Sequence, residues 1–211
     1  MAVRDRAVDL AAADGALRRV PTQSRARAKV NRALDAAGTL LAREGVAAVT
    51  LPRVAEEADV SVGALYQYLP DRDSILAVLS AEYHAKHEAL LDALMPAPGA
   101  RGGDPVGAVV GAFVRLYREE SGTRALRDAL RSTAFPGLAR DHKERMVAKV
   151  HTLLAAHGLT DPDGPDHVAR TVFFAADALM HEAFADSASG DPALLAELEA
   201  LLRAYLAARP G

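Results

Sequence analysis

The chain has 211 residues, 50% of them hydrophobic, with 25 basic and 28 acidic side chains and a formal net charge of -3. That much apolar material supports a buried core and excludes a disordered chain, while the negative balance means that any nucleic-acid binding has to come from a local patch. With no Cys at all, disulfides, thiol nucleophiles, iron-sulfur clusters and Cys-based zinc sites are excluded. Uncharged stretches reach only 11 residues, as in Val60 to Pro70, where a spanning helix needs about 20 apolar residues, so no membrane contact is expected. Asp5, Asp9 and Asp14 interrupt the region where a secretory signal needs an apolar run, which points to a cytoplasmic protein.

From the N-terminus, residues 1–23 read as a flexible extension. A basic stretch spans its end, with Arg18, Arg19, Arg25, Arg27, Lys29 and Arg32 and no acidic residue between them. Val30, Ala33, Leu34, Ala37, Leu40 and Leu41 then form one stripe of a first helix, which Gly45 terminates in a left-handed cap. A short second helix begins at Thr50, a capping residue, with Pro52 in the first turn and Val54 and Ala58 facing inward, and it ends near Asp59. Ser61 sits at a second cap position ahead of Val62 to Leu69, and Pro70-Asp71 stops that helix. Two short helices about one turn apart have the helix-turn-helix outline. A longer helix runs from Arg72 to Leu94, and the Pro- and Gly-rich segment 96–105 is a loop. Further helices are predicted at about 105–121, 124–135, 137–157, 165–187 and 191–207, giving an all-α chain of about nine helices with no strand pattern and no internal repeat.

The run Thr50-Leu51-Pro52-Arg53-Val54-Ala55-Glu56-Glu57-Ala58-Asp59-Val60-Ser61-Val62-Gly63-Ala64-Leu65-Tyr66-Gln67-Tyr68-Leu69 resembles the DNA-binding segment of the tetracycline-repressor (TetR) family. The likeness extends forward through Pro70-Asp71-Arg72-Asp73-Ser74-Ile75-Leu76 and back to Ala37-Gly38-Thr39-Leu40-Leu41-Ala42-Arg43-Glu44-Gly45. Small residues at a helix tip allow the close approach that a major groove demands, and Ser61, Gly63 and Ala64 are small. The resemblance implies Val62, Gly63, Ala64 and Gln67 near base edges and Tyr66 on a phosphate. Gln67 is the one side chain among them that can both donate and accept in a bidentate contact to adenine. Tyr68 lies two residues from Tyr66, so the two cannot share a face, and core and interface roles both fit Tyr68. Thr50, Arg53 and Arg72 are candidate phosphate partners, with Arg25, Arg27 and Lys29 adding backbone affinity. The chain departs from the common family pattern at Val62, where lysine is frequent, and at Leu69, where phenylalanine is.

The implied organisation is a three-helix DNA-binding domain over 24–71, followed by a connecting helix and a ligand-binding and dimerisation domain over 72–211. Val168, Val172, Ala175, Ala176 and Leu179, with Leu194, Leu195, Leu198, Leu201, Leu202, Tyr205 and Leu206, lie on the last two helices. By resemblance these form a four-helix homodimer interface, which implies a pseudo-palindromic double-stranded operator. Core closure in a monomer is the alternative reading of the same stripes. Phe113, Tyr117, Phe135, Phe173, Phe174, Met180 and Phe184, with Asp177 and His181 four apart on one helix, are candidate residues for an unidentified small-molecule effector, or else plain core. His84, His87 and Glu88 on the long helix read as surface polar residues rather than a metal site, and Arg124, Arg127 and Arg131 as a solvated face. No G-x-S-x-G, P-loop, G-x-G-x-x-G or H-E-x-x-H pattern is present, so no enzyme, catalytic residue or cofactor is expected. The sequence therefore suggests a ligand-responsive regulator, most simply a repressor released from its operator by an effector. The alternative is a helical small-molecule-binding protein that keeps the fold without specific DNA binding.

Overall fold

The computed structural model describes residues 16–97, 103–119 and 136–209. Within them the chain forms α1 (Ser24–Glu44), a single 3-10 turn (Val46–Ala48), α2 (Leu51–Glu57), α3 (Val62–Tyr66), α4 (Arg72–Ala93), α5 (Pro105–Glu119), α6 (Pro136–Ala156), α7 (His167–Ala183) and α8 (Pro192–Ala207). No strand occurs among the described residues. These eight helices correspond to eight of those predicted, and the one predicted at 124–135 lies outside the described residues. None of them is long and apolar enough to cross a membrane.

The chain divides into two compact units, Met1–Ala85 with Ser121–Ala139, and Lys86–Glu120 with Arg140–Gly211. In the first, the predicted stripe Val30, Ala33, Leu34, Ala37, Leu40 and Leu41 is buried. α1 stops at Gly45, whose φ of 80° and ψ of -178° lie where only glycine is at ease, and whose N–H donates to the Leu41 carbonyl. Leu51, Val54 and Ala55 of α2 join the same core. Asp59 then takes a left-handed φ of 51°, a conformation that Asp tolerates better than most side chains, and so turns the chain between α2 and α3. Asp71 caps α4 by accepting from the Ser74 N–H at 2.7 Å and the Ser74 hydroxyl at 2.6 Å. Ile75, Leu76, Ala77, Val78 and Leu79 of α4 are buried in this core too, so the unit runs past the boundary at Asp71 that helix-turn-helix patterning suggests. At the other end, Ala16 and Pro21, within the predicted extension, are buried on this unit.

The second unit packs Leu91, Val110, Tyr117, Met146, Val147, Phe173, Phe184, Leu198 and Leu202 around one core. Asp104 accepts from the Gly107 N–H at the start of α5 and pairs with Arg203 of α8 at 2.5 Å, tying two helix ends together. α8 is capped by Asp191, which accepts from the Ala193 and Leu194 N–H groups. Gly190, just before it, combines a φ of 77° with a Phe184 ring atom 2.8 Å from where a Cβ would stand, so both backbone and space require glycine there.

Candidate functional site

α3 is short, and its geometry follows from what holds its two ends. Ser61 is its N-cap, with its hydroxyl accepting from the Ala64 N–H at 3.3 Å. Leu65 and, just beyond the helix, Leu69 are fully buried and pin it to the core. Ser61, Gly63, Tyr66 and Gln67 are exposed, Ala64 is half-buried, and Val62 is half-buried and packs against the core. The regular helix ends at Tyr66 rather than Leu69, but Gln67 keeps helical angles (φ -68°, ψ -25°), so it continues the same face by one position. Of the predicted base-reading set, Gly63 and Gln67 are therefore the exposed members. Nothing lies within 4 Å of the position that a Cβ on Gly63 would take. Tyr68 is half-buried and packs on the core, which agrees with the packing reading.

The basic residues divide differently from the prediction. Arg25 is exposed and makes no ion pair among the described residues. Arg53, by contrast, is held bidentately by Glu44, with Nη1 and Nη2 at 2.8 and 3.1 Å from the two carboxylate oxygens. Glu44 also accepts from Arg43 at 2.7 Å. The Arg53 hydrogen bonds first, and those of Arg43 second, hold the Glu44 carboxyl down to about 2. Arg53 therefore stands as half of an internal charge pair on the surface. Arg72 is turned inward: Nη2 donates to the Val46 carbonyl at 2.8 Å, and the half-buried side chain ties the start of α4 to the 3-10 turn instead of facing a phosphate. Thr50 occupies the N-cap of α2, yet its hydroxyl makes no capping hydrogen bond. Pro52, at the second helical position, removes one of the two N–H groups that such a cap uses.

Among the candidate effector residues, Tyr117 and Phe184 are stacked at a tilt with ring centroids 5.1 Å apart, and Phe173 and Phe174 meet edge to face at 5.2 Å. Phe184, Phe173, Met180 and Tyr117 are buried core, whereas Phe174 is 40% exposed with Lys143 over its ring. Phe135 lies outside the described residues, as do Arg124, Arg127 and Arg131. His181 Nδ1 donates to the Asp177 carbonyl and stands 3.7 Å from its carboxylate, so these two are paired within α7. A separate open cleft of about 640 Å³ is lined by Glu144, Ala148, His151, Thr152, Ala155, Ala156, Pro162 and Asp166, none of them in the predicted set.

The residues that the surface reading of α4 misplaced are its histidines. His84 and His87 are buried. The His87 ring meets Phe113 edge-on at 5.2 Å and lies 6.0 Å from Tyr117 and 6.2 Å from His142. Burial, reinforced by His142, Lys86 and His181, pushes the His87 imidazole down to about 3, so it is neutral at physiological pH. Glu88 is shielded as well, with His142 Nδ1 at 2.8 Å and Arg145 Nε at 3.0 Å from the same oxygen. Burial lowers His142 in turn, against the hydrogen bond of Glu88. The signal that would have found them is spacing, since Leu76, Ser80, His84, His87 and Leu91 are all buried and recur at three and four. Among the described residues, no cluster of acidic and histidine side chains is suited to a metal ion.

A capped five-residue helix presenting small residues, a tyrosine and a glutamine on a helix-turn-helix core defines a DNA-reading module. Residues 33–79 match the family described as bacterial regulatory proteins, tetR family, and residues 104–206 match the tetracyclin repressor-like C-terminal domain. The chain belongs to the TetR family of transcriptional regulators. Among solved structures, it is similar to a TetR-family regulator from Streptomyces coelicolor at 24% identity, covering 85% of this chain and 98% of that one with a TM-score of 0.64. SmeT, the repressor of the Stenotrophomonas maltophilia multidrug efflux pump SmeDEF, is 20% identical over 84% of this chain and 88% of its own, with a TM-score of 0.62. NalD, the secondary repressor of the Pseudomonas aeruginosa pump MexAB-OprM, is 14% identical over 85% of this chain and 98% of its own, with a TM-score of 0.55. At these identities the likeness establishes the fold. A comparison with curated proteins finds none that matches.

Two outcomes are expected. Gly63→Leu leaves the thermal midpoint of the free protein within a few degrees of wild type, because its side chain enters open space, but it lowers operator affinity at least about tenfold by holding the backbone off the groove. Thermal melting and a binding titration on one preparation check both halves. The second concerns acid. Below about 6.5 the unfolded chain protonates its histidines, while folded His87 resists until about 3, so stability falls as the pH drops through that window. The slope is at most about 1.4 kcal/mol per pH unit for each such histidine. Urea midpoints at pH 7, 6 and 5 fall less steeply for His87→Gln; equal slopes would contradict the assignment.

Proposed function

We propose that the chain is an effector-responsive repressor that binds a pseudo-palindromic operator as a homodimer, reading each half-site with the outward surface of α3. The observation that carries this reading is the segregation of α3 into buried Leu65 and Leu69 on one side and exposed Gly63, Tyr66 and Gln67 on the other. Gln67 reads a base edge, Val62, Gly63 and Ala64 allow the backbone to approach, and Tyr66, Thr50 and Arg25 meet phosphates. Arg53 reaches a phosphate only by exchanging its bond to Glu44 for one to DNA. Arg72 is left out of this group because its guanidinium is used internally.

Dimerisation supplies the affinity that one short helix lacks. Along α8, Leu195, Leu198, Leu202 and Leu206 are buried in the core, while Leu194, Leu201 and Tyr205 lie on another side, half-buried or exposed. With Val172, Phe174, Ala175 and Leu179 of α7, half-buried or exposed, they leave apolar surface that the described residues do not fully cover. That surface supports a two-fold interface through α7 and α8. The effector region is proposed around Phe113 and Tyr117 with neutral His87. An effector that binds best to a conformation with misplaced reading heads releases DNA by linkage, with α4 as the continuous element that carries the change. SmeT has been solved in complex with triclosan, which supports a small molecule as the inducing partner. No catalytic step belongs to this reading.

Selection of bound sequences from a random DNA pool at near-physiological salt tests the proposal: an inverted repeat supports it, and salt-sensitive binding with no motif overturns it. Gln67→Ala is expected to lose about 1 to 3 kcal/mol of discrimination at one position of each half-site, whereas Tyr66→Ala weakens binding evenly across sequences. An unchanged preference in the Gln67 variant would remove it as a base reader. Leu201→Glu, on the exposed side of α8, is expected to give a folded monomer by light scattering with operator binding largely lost; a persistent dimer would move the interface elsewhere.

A further inference from the structure

Residues 16–21 carry two arginines in a setting unlike that of most others in the chain. Ala16 and Pro21 are buried on the first unit, Leu17 packs against its core, and the Arg18 N–H donates to the Tyr68 carbonyl at 3.0 Å. Arg27 fixes the other end by donating from Nε to the Pro21 carbonyl at 3.1 Å. The segment is thus held by its backbone and its apolar residues, and the Arg18 and Arg19 side chains are exposed. Arg43, Arg53, Arg145, Arg170 and Arg203 each have a carboxylate oxygen at 3.0 Å or closer. Arg18 and Arg19 make no ion pair among the described residues, and no acidic residue occurs between Arg18 and Arg32.

Resting on the DNA-reading role of α3, we propose that residues 16–21 form an anchored arm whose Arg18 and Arg19 bind the backbone phosphates beside each half-site. A helix with its side chains is about 10–12 Å across and the major groove about 12 Å wide, so the inserted element fills the groove from wall to wall. A segment bonded to the Tyr68 carbonyl, one residue beyond Gln67, would on this proposal lie over the groove edge, where the phosphates are. Tyr68 itself is half-buried and packs inward, so its carbonyl is a fixed point for the arm rather than a reader of bases. The two cations, without an ion pair among the described residues, add hold without sequence information, and because the backbone anchor is independent of the two guanidinium groups, removing them leaves the fold intact.

The test is the double variant Arg18→Ala/Arg19→Ala, compared with wild type on the selected operator duplex and on a scrambled duplex over a range of salt. Thermal midpoint and oligomeric state are expected to be unchanged, operator affinity to fall at least about tenfold near 0.1 M salt, and the plot of log affinity against log salt to become shallower by about 0.9 for each phosphate that is no longer neutralised. Ethylation interference is expected to disappear at the phosphates flanking each half-site while the selected sequence motif stays the same. Arg18→Lys/Arg19→Lys, which keeps the charge, restores the salt slope; failure to restore it overturns the phosphate assignment in favour of insertion into a groove. An unchanged slope and interference pattern in the alanine variant overturns the arm and leaves the α3 reading standing. A wild-type protein that selects no DNA overturns both.

Discussion

A five-residue helix has no stability of its own, because the nucleation of a first turn costs more than so few hydrogen bonds return. Everything that α3 does therefore depends on being clamped from outside. Ser61 satisfies an N–H at one end, Leu65 and Leu69 are buried to the limit, and Asp59 bends the chain through a conformation that brings the Val60 N–H onto the Ala55 carbonyl at 3.0 Å. The arm closes the far side through the Tyr68 carbonyl. With folding delegated to these contacts, the outward positions are released from structural duty. That is why a glycine, a residue that weakens helices, stands in the middle of the proposed reading face.

The second unit handles polarity in the opposite way, by neutralising it within the fold. His87 is uncharged among rings, and Glu88 is shared by His142 and Arg145. His181 is turned onto its own helix. For the effector region proposed above, hydrogen-bonding groups already neutralised among the described residues would suit a neutral, largely apolar ligand. The apolar residues of α8 divide in two: Leu195, Leu198, Leu202 and Leu206 close the core, and Leu194, Leu201 and Tyr205 form the second stripe that the proposed dimer would use.

Local features were the legible ones. The cap at Ser61, the break at Gly45, the Pro-rich loop and the small-residue tip of α3 are written in neighbouring residues, and so were the helices they bound. Long-range partners were not. Arg53 meets Glu44 across nine positions, Arg72 meets Val46 across 26, and His142 meets Glu88 across 54. No periodicity encodes such meetings, so two arginines that look like surface cations turn out to be engaged within the protein. The buried histidines fall between these cases. Their spacing placed them on the inward face of α4, but residue type argued for water, and spacing was the better guide.

The Glu44 carboxylate, set against two arginines, also shapes how the protein travels. A regulator finds its operator by sliding and hopping on DNA of arbitrary sequence, and its residence at each wrong site lengthens with every free cation facing the phosphates. By occupying Arg43 and Arg53, Glu44 leaves Arg18, Arg19, Arg25, Lys29 and Arg32 as the cations of this stretch of chain, all of them near the arm and the start of α1. On the proposed DNA-reading role, fewer free cations face the phosphates of a random sequence, and random encounters are expected to be shorter. On the same reading, Arg53 joins the phosphate contacts only where DNA displaces its own carboxylate, adding hold after the bases have been read.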